Sequence, residues 1–230
     1  LRTVAIIPAL DEEATIEAVV TAVRRSGIDQ IVVVDNGSTD RTAQRAVDAG
    51  ARVVREGRRG YGAACLRGIA SLPADAEVVV FLDADGSDDP GDVTRVLEPV
   101  RRGADLCVGS RTLGGAAPGA LTPAQRFGNR LAGWLLGRLY GHACTDLGPL
   151  RAIRVDALRR LGMRDRGFGW TVEMQARAAL AGLQVREVSV CYRPRAGGRS
   201  KISGTVRGSV QAGATILWTL AALRLEAARR

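Results

Sequence analysis

The chain has 230 residues, 46% hydrophobic and 25% charged, which suits one globular domain with an appendage and argues against a disordered or fibrous chain. A single histidine, His142, excludes any catalytic or metal system that needs two, and the four cysteines (Cys65, Cys107, Cys144, Cys191) show neither a C-x-x-C pair nor zinc spacing, as in a reduced cytosolic protein. The net charge of +9 is uneven: residues 1–150 carry 17 basic and 19 acidic side chains and residues 151–230 carry 16 and 5, so the front suits a metal and nucleotide platform and the back a surface for anions.

No signal-peptide pattern precedes the first predicted strand, Thr3 to Ile7, which ends at Pro8. Asp11, Glu12 and Glu13 then open a helix whose Ile16, Val19, Val20 and Val23 fall at helical spacing, with the carboxylates complementing its dipole. Ile31 to Val34 is a second buried strand ending in Asp35-Asn36-Gly37-Ser38-Thr39-Asp40. Gly37 permits a tight turn, and Ser38 or Thr39 can cap the helix that runs to Ala49. Asp35 is not needed as a cap, so its place at a strand's carboxyl end points to a ligand. A short strand at Arg52–Val54 leads into Gly57-Arg58-Arg59-Gly60-Tyr61-Gly62-Ala63-Ala64, a basic glycine-rich turn expected to offer backbone N–H groups to an anion. It matches neither G-x-G-x-x-G nor a P-loop.

The five apolar residues Val78 to Leu82 predict a buried strand of a parallel sheet, and they end in Asp83-Ala84-Asp85-Gly86-Ser87-Asp88-Asp89-Pro90. Strand periodicity would set Asp83 and Asp85 on one side, at the edge where open α/β sheets bind ligands. Neighbouring carboxylates repel unless a cation lies between them or one takes a proton, and hard oxygen donors with open positions suit Mg2+ or Mn2+ on a diphosphate. The plainer alternative is an Asp-rich turn before the helix from Pro90 to about Arg102.

Leu106 to Gly109 is a strand leading to Ser110-Arg111, followed by a Gly/Ala/Pro-rich loop at 113–120 and a helix over 123–140 with Gln125, Arg126, Asn129 and Arg130 on its early turns. Asp146 to Arg151 turns into a short strand near 151–153, and Asp156 starts a small helix. Gly169-Trp170-Thr171-Val172-Glu173 opens a helix to Ala181, Val185 to Val190 is a strand, and Arg193 to Ser203 is a basic loop. A closing helix from about Thr205 to Arg224 contains 16 residues without charge, Gly208 to Leu223, short of the ~18–20 of a spanning segment. Trp218 and the flanking arginines suit an interfacial position; packing on the catalytic domain or in a dimer is the alternative. Of 33 basic residues 32 are arginine, and the one lysine, Lys201, stands in the glycine-containing loop beside Ser200, where a point charge on a flexible stem can hold and release a phosphate. Aromatics at 4%, with no nucleic-acid-binding signature, argue against DNA or RNA partners.

The element order is βαβαβαβ with mostly parallel strands. On Ile7-Pro8-Ala9-Leu10-Asp11-Glu12, Val34-Asp35-Asn36-Gly37-Ser38-Thr39-Asp40, Arg59-Gly60-Tyr61-Gly62-Ala63-Ala64, Asp83-Ala84-Asp85-Gly86, Gly109-Ser110-Arg111 and Gly198-Arg199-Ser200-Lys201, the chain resembles the inverting family 2 glycosyltransferases of the GT-A fold, in particular the dolichyl- or polyprenyl-phosphate sugar synthases. The resemblance implies an α/β GT-A fold with helices on both faces of a mostly parallel sheet, a catalytic domain at 1–204 and an apolar or amphipathic C-terminal helix at 205–230. It implies that Pro8, Ala9, Leu10, Glu12, Asp35, Gly60, Ala64 and Ala84 hold a UDP- or GDP-linked sugar. Asp83 and Asp85 would organise Mg2+ or Mn2+, with Arg111 and Lys201 on phosphates. The acceptor side would draw on Arg151, Trp170 and Ser200, with Gln125 and Arg126 as substitutes for the family's acceptor-phosphate pair near 121–125, which the chain does not match cleanly.

A lipid-phosphate acceptor is already anionic; a hydroxyl acceptor, the alternative, needs a base, for which Glu173 is the first candidate and Asp146 the second. The implied setting is cytoplasmic, peripheral on the inner face of the plasma membrane, and compatible with a homo-oligomer. The chain departs from the family at Leu10 and Asp11, where Tyr and Asn are usual, at Ser87 and at Leu147-Gly148-Pro149-Leu150-Arg151. A nucleotidyltransferase on a similar fold is disfavoured by the lack of an N-terminal G-x-G-T-R-type loop, and a non-catalytic scaffold by the intact Asp83, Asp85, Arg111 and Lys201.

Overall fold

The apolar runs at Val4–Ile7, Ile31–Val34 and Val78–Leu82 call for a sheet covered on both faces, and the computed structural model, which describes residues 1–114, 116–195 and 206–228, contains one. Its strands are β1 (Thr3–Ala9), β2 (Gln30–Asp35), β3 (Arg52–Arg55), β4 (Val78–Phe81), β5 (Leu106–Ser110), β6 (Arg151–Arg154) and β7 (Val185–Ser189), in the order β3-β2-β1-β4-β6-β5-β7. All pairings are parallel except those of β6, which runs antiparallel to both β4 and β5. The described helices are α1 (Ile16–Arg25), α2 (Thr42–Asp48), α3 (Tyr61–Ala70), α4 (Asp92–Arg101), α5 (Pro123–Tyr140), α6 (Val155–Leu161), α7 (Trp170–Leu180) and α8 (Val206–Ala228).

Period 2 along β1 divides the core. Ala5, Ile7 and Ala9 pack with α1, α2 and α4 through Val19, Ala46 and Val96 on one face; Val4 and Ile6 pack with α3, α6 and α7 through Cys65, Leu158 and Met174 on the other. Trp170 is buried there, edge-on to Phe81 with ring centroids 5.8 Å apart. A smaller apolar cluster, including Ala132, Leu136, Val172, Leu220 and Leu223, packs α5 and α8 against α7.

The connectivity locates a cleft. From β1 the chain moves outward through β2 to β3, then returns to place β4 on the other side of β1. The crevice at a topological switch of this kind lies beyond the strands' carboxyl ends, between the residues after β1 and those after β4. Because β6 is antiparallel, the segment that precedes it arrives at this same edge.

Several local expectations change. Strand β4 ends at Phe81, so Asp83 and Asp85 stand in a turn closed by Gly86 (φ +72°) rather than on a continuing strand. Helix α1 starts at Ile16, and Glu17 is its first-turn acid. Asp11 and Glu13 instead stitch two loops together: Asp11 Oδ1 accepts the Thr39 N–H at 2.7 Å and Glu13 Oε2 the Arg41 N–H at 3.1 Å. Ser38 and Thr39 therefore do not cap α2, which begins at Thr42 with its N–H on Asp40 Oδ1.

Candidate active site

Two adjoining clefts open at the switch point. The first, about 520 Å3, is lined after β1 by Pro8, Ala9, Leu10 and Glu12, and after β4 by Asp83, Ala84 and Asp85. Asn36, Arg59, Gly60, Tyr61 and Ala64 form its far wall. The second, about 310 Å3, shares Tyr61, Asp83, Asp85, Phe168 and Arg195 with the first and continues past Arg111, Gln125 and Asn129 to Leu147, Tyr192 and Ile216.

The glycine-rich turn is not the anion cradle its sequence predicts. The N–H groups of Gly62 and Ala63 donate to the carbonyls of Gly167 and Arg166, and that of Gly60 donates to Asn36 Oδ1 at 2.8 Å. The glycines serve close approach: a Cβ on Gly60 or Gly62 would overlap the carbonyl oxygen of Arg166 or Asp165. This contact seats the 165–168 loop, and with it Phe168, over both clefts.

The carboxylates after β4 form a tight, poorly solvated group. Asp83 is held well above the usual carboxylate range by burial and by the charges of Asp85 and Asp88. Asp88, whose Oδ2 accepts the Asp83 N–H, is pushed up to about 7, chiefly by burial. Buried Asp88 Oδ1 and Ser87 Oγ have no hydrogen-bond partner. Asp85 Oδ1 accepts the Ser87 N–H at 2.8 Å, and its Oδ2 faces Arg195 Nε at 2.8 Å. Hard oxygens, mutual repulsion, orphaned polar atoms and a guanidinium already drawn in all fit a divalent cation held by Asp83 and Asp85. Among the described residues no group of three or more His, Cys, Asp or Glu forms a complete metal cage.

Arg111 faces the second cleft from a buried ion pair. Its Nε and Nη2 bond the two oxygens of Asp146 at 2.7 Å each, its N–H donates to the same carboxylate, and its guanidinium lies 4.9 Å from the Tyr192 ring centroid. Burial opposes its charge, but the Asp146 bond holds its pKa above the ordinary value. Asp146 has no exposed surface and also accepts from Asn129 and the Leu147 N–H, so it positions Arg111 and is not a second candidate base.

Four other predicted residues lie elsewhere. Glu173 is 3% exposed and lines neither cleft; its oxygens accept the Arg164 and Asp165 N–H groups and Arg177 Nε at 2.7 Å, so it shapes the 164–169 loop and is not placed as a base. Arg151 is fully buried, with its guanidinium spent on the carbonyls of Leu147, Gly148 and Thr171, which removes it from any acceptor phosphate. Trp170 is core, for the packing reason given above. Asp35 is 6% exposed behind the first cleft, with Oδ1 on the Ser38 N–H; its neighbour Asn36 lines the wall.

Gln125 and Arg126 separate. Gln125 caps α5 in a reciprocal box with Thr122 and lines the second cleft, whereas Arg126 turns with Arg130 into a different recess of about 510 Å3. Ser200 and Lys201 lie outside the described residues.

Sequence reasoning missed Tyr61, Phe168, Tyr192 and Arg195. Tyr61 had a signal in its place between two glycines; the others depend on loops whose course only the fold reveals. It also set the last helix apart, yet α8 brings Thr215 to the first cleft and Ile216 to the second. The bare backbone of Gly169 admits the Thr219 side chain, while Tyr140 Oη donates to the Leu220 carbonyl. Among the described residues no helix is long and apolar enough to cross a membrane. The outer faces of α5 and α8 leave Phe127, Trp134, Leu217 and Trp218 exposed.

Comparison with known proteins agrees with this architecture. The family model described as glycosyl transferase family 2 matches residues 4–162. A glycosyltransferase of Mycobacterium tuberculosis is 40% identical over 206 residues, 89% of this chain and 91% of that one. Undecaprenyl-phosphate mannosyltransferase of Micrococcus luteus is 33% identical over 239 residues, covering 96% of each. Glucosyl-3-phosphoglycerate synthase of M. tuberculosis, solved with Mn2+, UDP and glucosyl-3-phosphoglycerate, superposes with a TM-score of 0.74 at 26% identity, over 95% of this chain and 80% of that one.

Proposed function

The chain belongs to glycosyl transferase family 2, and from that premise we propose that it transfers a sugar from a UDP- or GDP-linked donor to a polyprenyl phosphate, with inversion and with Mg2+ or Mn2+ on the donor diphosphate. The observation that carries the acceptor is a missing base. The carboxylates lining the second cleft are Asp83 and Asp85, both committed to the cation site, while Glu173 and Asp146 are tied down elsewhere. Gly115 and residues 196–212, 229 and 230 include no Asp, Glu or His. A hydroxyl would have to lose a proton to one of these groups; a phosphate monoester is anionic at neutral pH and needs none. The Micrococcus relative's name supports this acceptor, and the UDP- and Mn2+-bound neighbour supports the donor and the ion.

In this reading Pro8, Ala9, Leu10 and Glu12 hold the nucleoside, with Arg59, Gly60, Tyr61 and Ala64 opposite. Asp83 and Asp85 hold the cation, which when bound would neutralise the departing diphosphate. Arg111, fixed by Asp146, draws the acceptor phosphate into the second cleft, with Gln125 and Asn129 beside it. Ser200 and Lys201 serve the phosphates, as the family resemblance implies. Residues 1–204 form the catalytic domain, and in the C-terminal part, 205–230, α8 both completes the clefts and, with α5, turns Phe127, Trp134, Leu217 and Trp218 to the inner face of the plasma membrane.

The test is product formation from UDP- and GDP-sugars with Mn2+, Mg2+ or EDTA, offered polyprenyl phosphate, polyprenol or phosphoglycerate and read by mass spectrometry. Metal-dependent transfer to polyprenyl phosphate alone is expected. Equal transfer to a hydroxyl acceptor would favour the second reading, a soluble or cell-wall acceptor, to which the phosphoglycerate-bound neighbour points. Vesicle flotation of Trp134→Ser/Trp218→Ser tests the membrane contact; undiminished flotation sinks it.

A further inference from the structure

Arg195 stands where the two clefts meet and lines both. Its backbone is brought there by stitching to the segment after β4: Asp89 N–H donates to the Cys191 carbonyl, Arg193 N–H donates to the Ser87 carbonyl at 2.9 Å, and Arg193 Nη2 pairs with Asp89 at 2.6 Å. From that anchor the Arg195 guanidinium reaches inward. Its Nε lies 2.8 Å from Asp85 Oδ2 and its Nη1 3.3 Å from Glu12 Oε1, both on carboxylates that are nearly inaccessible to water. The arginine itself is about one-third exposed, so it can leave. One guanidinium thus ties the nucleoside wall of the first cleft to the carboxylate turn.

A cation at Asp85 and this guanidinium compete. A divalent ion bonds a carboxylate oxygen at roughly 2.0–2.2 Å, and with a guanidinium nitrogen still on that oxygen the two charges would sit within about 4 Å of each other in a weakly solvated pocket. The other oxygen of Asp85 is already engaged by the Ser87 N–H. We propose that Arg195 is the internal counter-ion of Asp85, a positioning residue that holds a divalent cation off the free protein and yields the carboxylate when a nucleotide diphosphate arrives. The diphosphate supplies the negative charge that lets ion and guanidinium coexist, with Arg195 moving from Asp85 to a phosphate oxygen. Metal binding then depends on donor binding, and Asp85 is never left buried and uncompensated. The inference rests on the metal-dependent reading above.

The test is Mn2+ binding, followed by the loss of the free-ion paramagnetic resonance signal, for the wild type, Arg195→Met, Arg195→Lys and Arg102→Met, each with and without UDP. Thermal melts of each variant check folding. Without UDP, Arg195→Met should bind Mn2+ about tenfold tighter than wild type, a gain that structural damage does not produce. Arg195→Lys keeps a cation and should stay weak, and Arg102→Met, whose partner Glu98 lies on the exposed face of α4, should match wild type. UDP should tighten Mn2+ binding far more in wild type than in Arg195→Met. If wild type and Arg195→Met bind Mn2+ equally, or the variant binds more weakly, the counter-ion role is overturned while the metal site stands. If neither binds Mn2+ even with UDP, the metal reading falls and this inference with it.

Discussion

Replacing Asp146 by asparagine should be the most damaging isosteric change in the second cleft. The carboxylate has no exposed surface and both oxygens are saturated: Oδ2 takes Arg111 N and Nε, and Oδ1 takes Arg111 Nη2, Asn129 Nδ2 and the Leu147 N–H. An amide keeps one acceptor and turns the other into a donor. In either orientation its NH2 faces at least two donors, and the Arg111 guanidinium stays buried without its counter-charge. Removing one partner of such a pair costs about 3–5 kcal/mol. At roughly 2–4 °C per kcal/mol for a chain of this size, the melting temperature should fall by roughly 6–20 °C. The assay is thermal and urea unfolding of Asp146→Asn, Arg111→Met and the double variant. The double variant should recover part of the loss, because no unpaired charge remains buried. A fall below about 3 °C for Asp146→Asn, or double-variant losses that simply add, would refute a strong buried pair.

Glu173→Gln should behave as a structural change. It breaks the bond to Arg177 and weakens the hold on the Arg164 and Asp165 N–H groups, costing about 3 kcal/mol. kcat should stay within about threefold; a loss of about 100-fold or more at unchanged stability would restore its role as a base. Gly62→Ala drives a Cβ into the Asp165 carbonyl, costs about 1–3 kcal/mol and displaces the loop carrying Phe168. UDP affinity should fall with the melting temperature, and a variant that keeps both would show that the contact is dispensable. Burial holds the His142 pKa below its ordinary value despite the Glu187 charge, so the unfolded chain takes up that proton first as pH falls. The stability this group contributes is present above about pH 6.5 and is lost as pH drops through the folded value. The melting-temperature difference between wild type and His142→Gln, measured from pH 7.5 to 5.5, should shift against wild type on acidification; a constant difference contradicts it. Taking the difference cancels the opposite trend expected of Asp88, whose raised pKa favours the folded state as pH falls from about 7.

Apolar runs ending in carboxylates and glycines were sufficient to read strands β1, β2 and β4, and the stretches at the ends of β1 and β4, Pro8–Glu12 and Asp83–Asp85, line the first cleft. These are local statements. A buried strand must be apolar, a turn at its end must be polar, and the spacing of both is written along the chain. Residues that take their role from a distant segment were not legible in that way. Nothing near Glu173 in sequence shows that its carboxylate is consumed by the 164–165 backbone, and nothing around Arg151 shows that three carbonyls surround its guanidinium. The glycine-rich turn at 57–64 has the composition of an anion loop. The N–H groups of Gly62 and Ala63 were redirected by a loop a hundred residues later, which only tertiary packing brings within reach.

By itself the sequence determined the α/β class, the family and the carboxylate-rich edge after β4, because those follow from hydrophobic pattern and short contiguous motifs. The tertiary structure decided which charges are available for chemistry. It paired Arg111 with Asp146 across 35 residues and Arg195 with Asp85 across 110, and it folded α8 onto α5 and α7 to wall the clefts. The physical reason is that burial sets the worth of a charge, and burial belongs to the packed molecule, not to any segment of the chain.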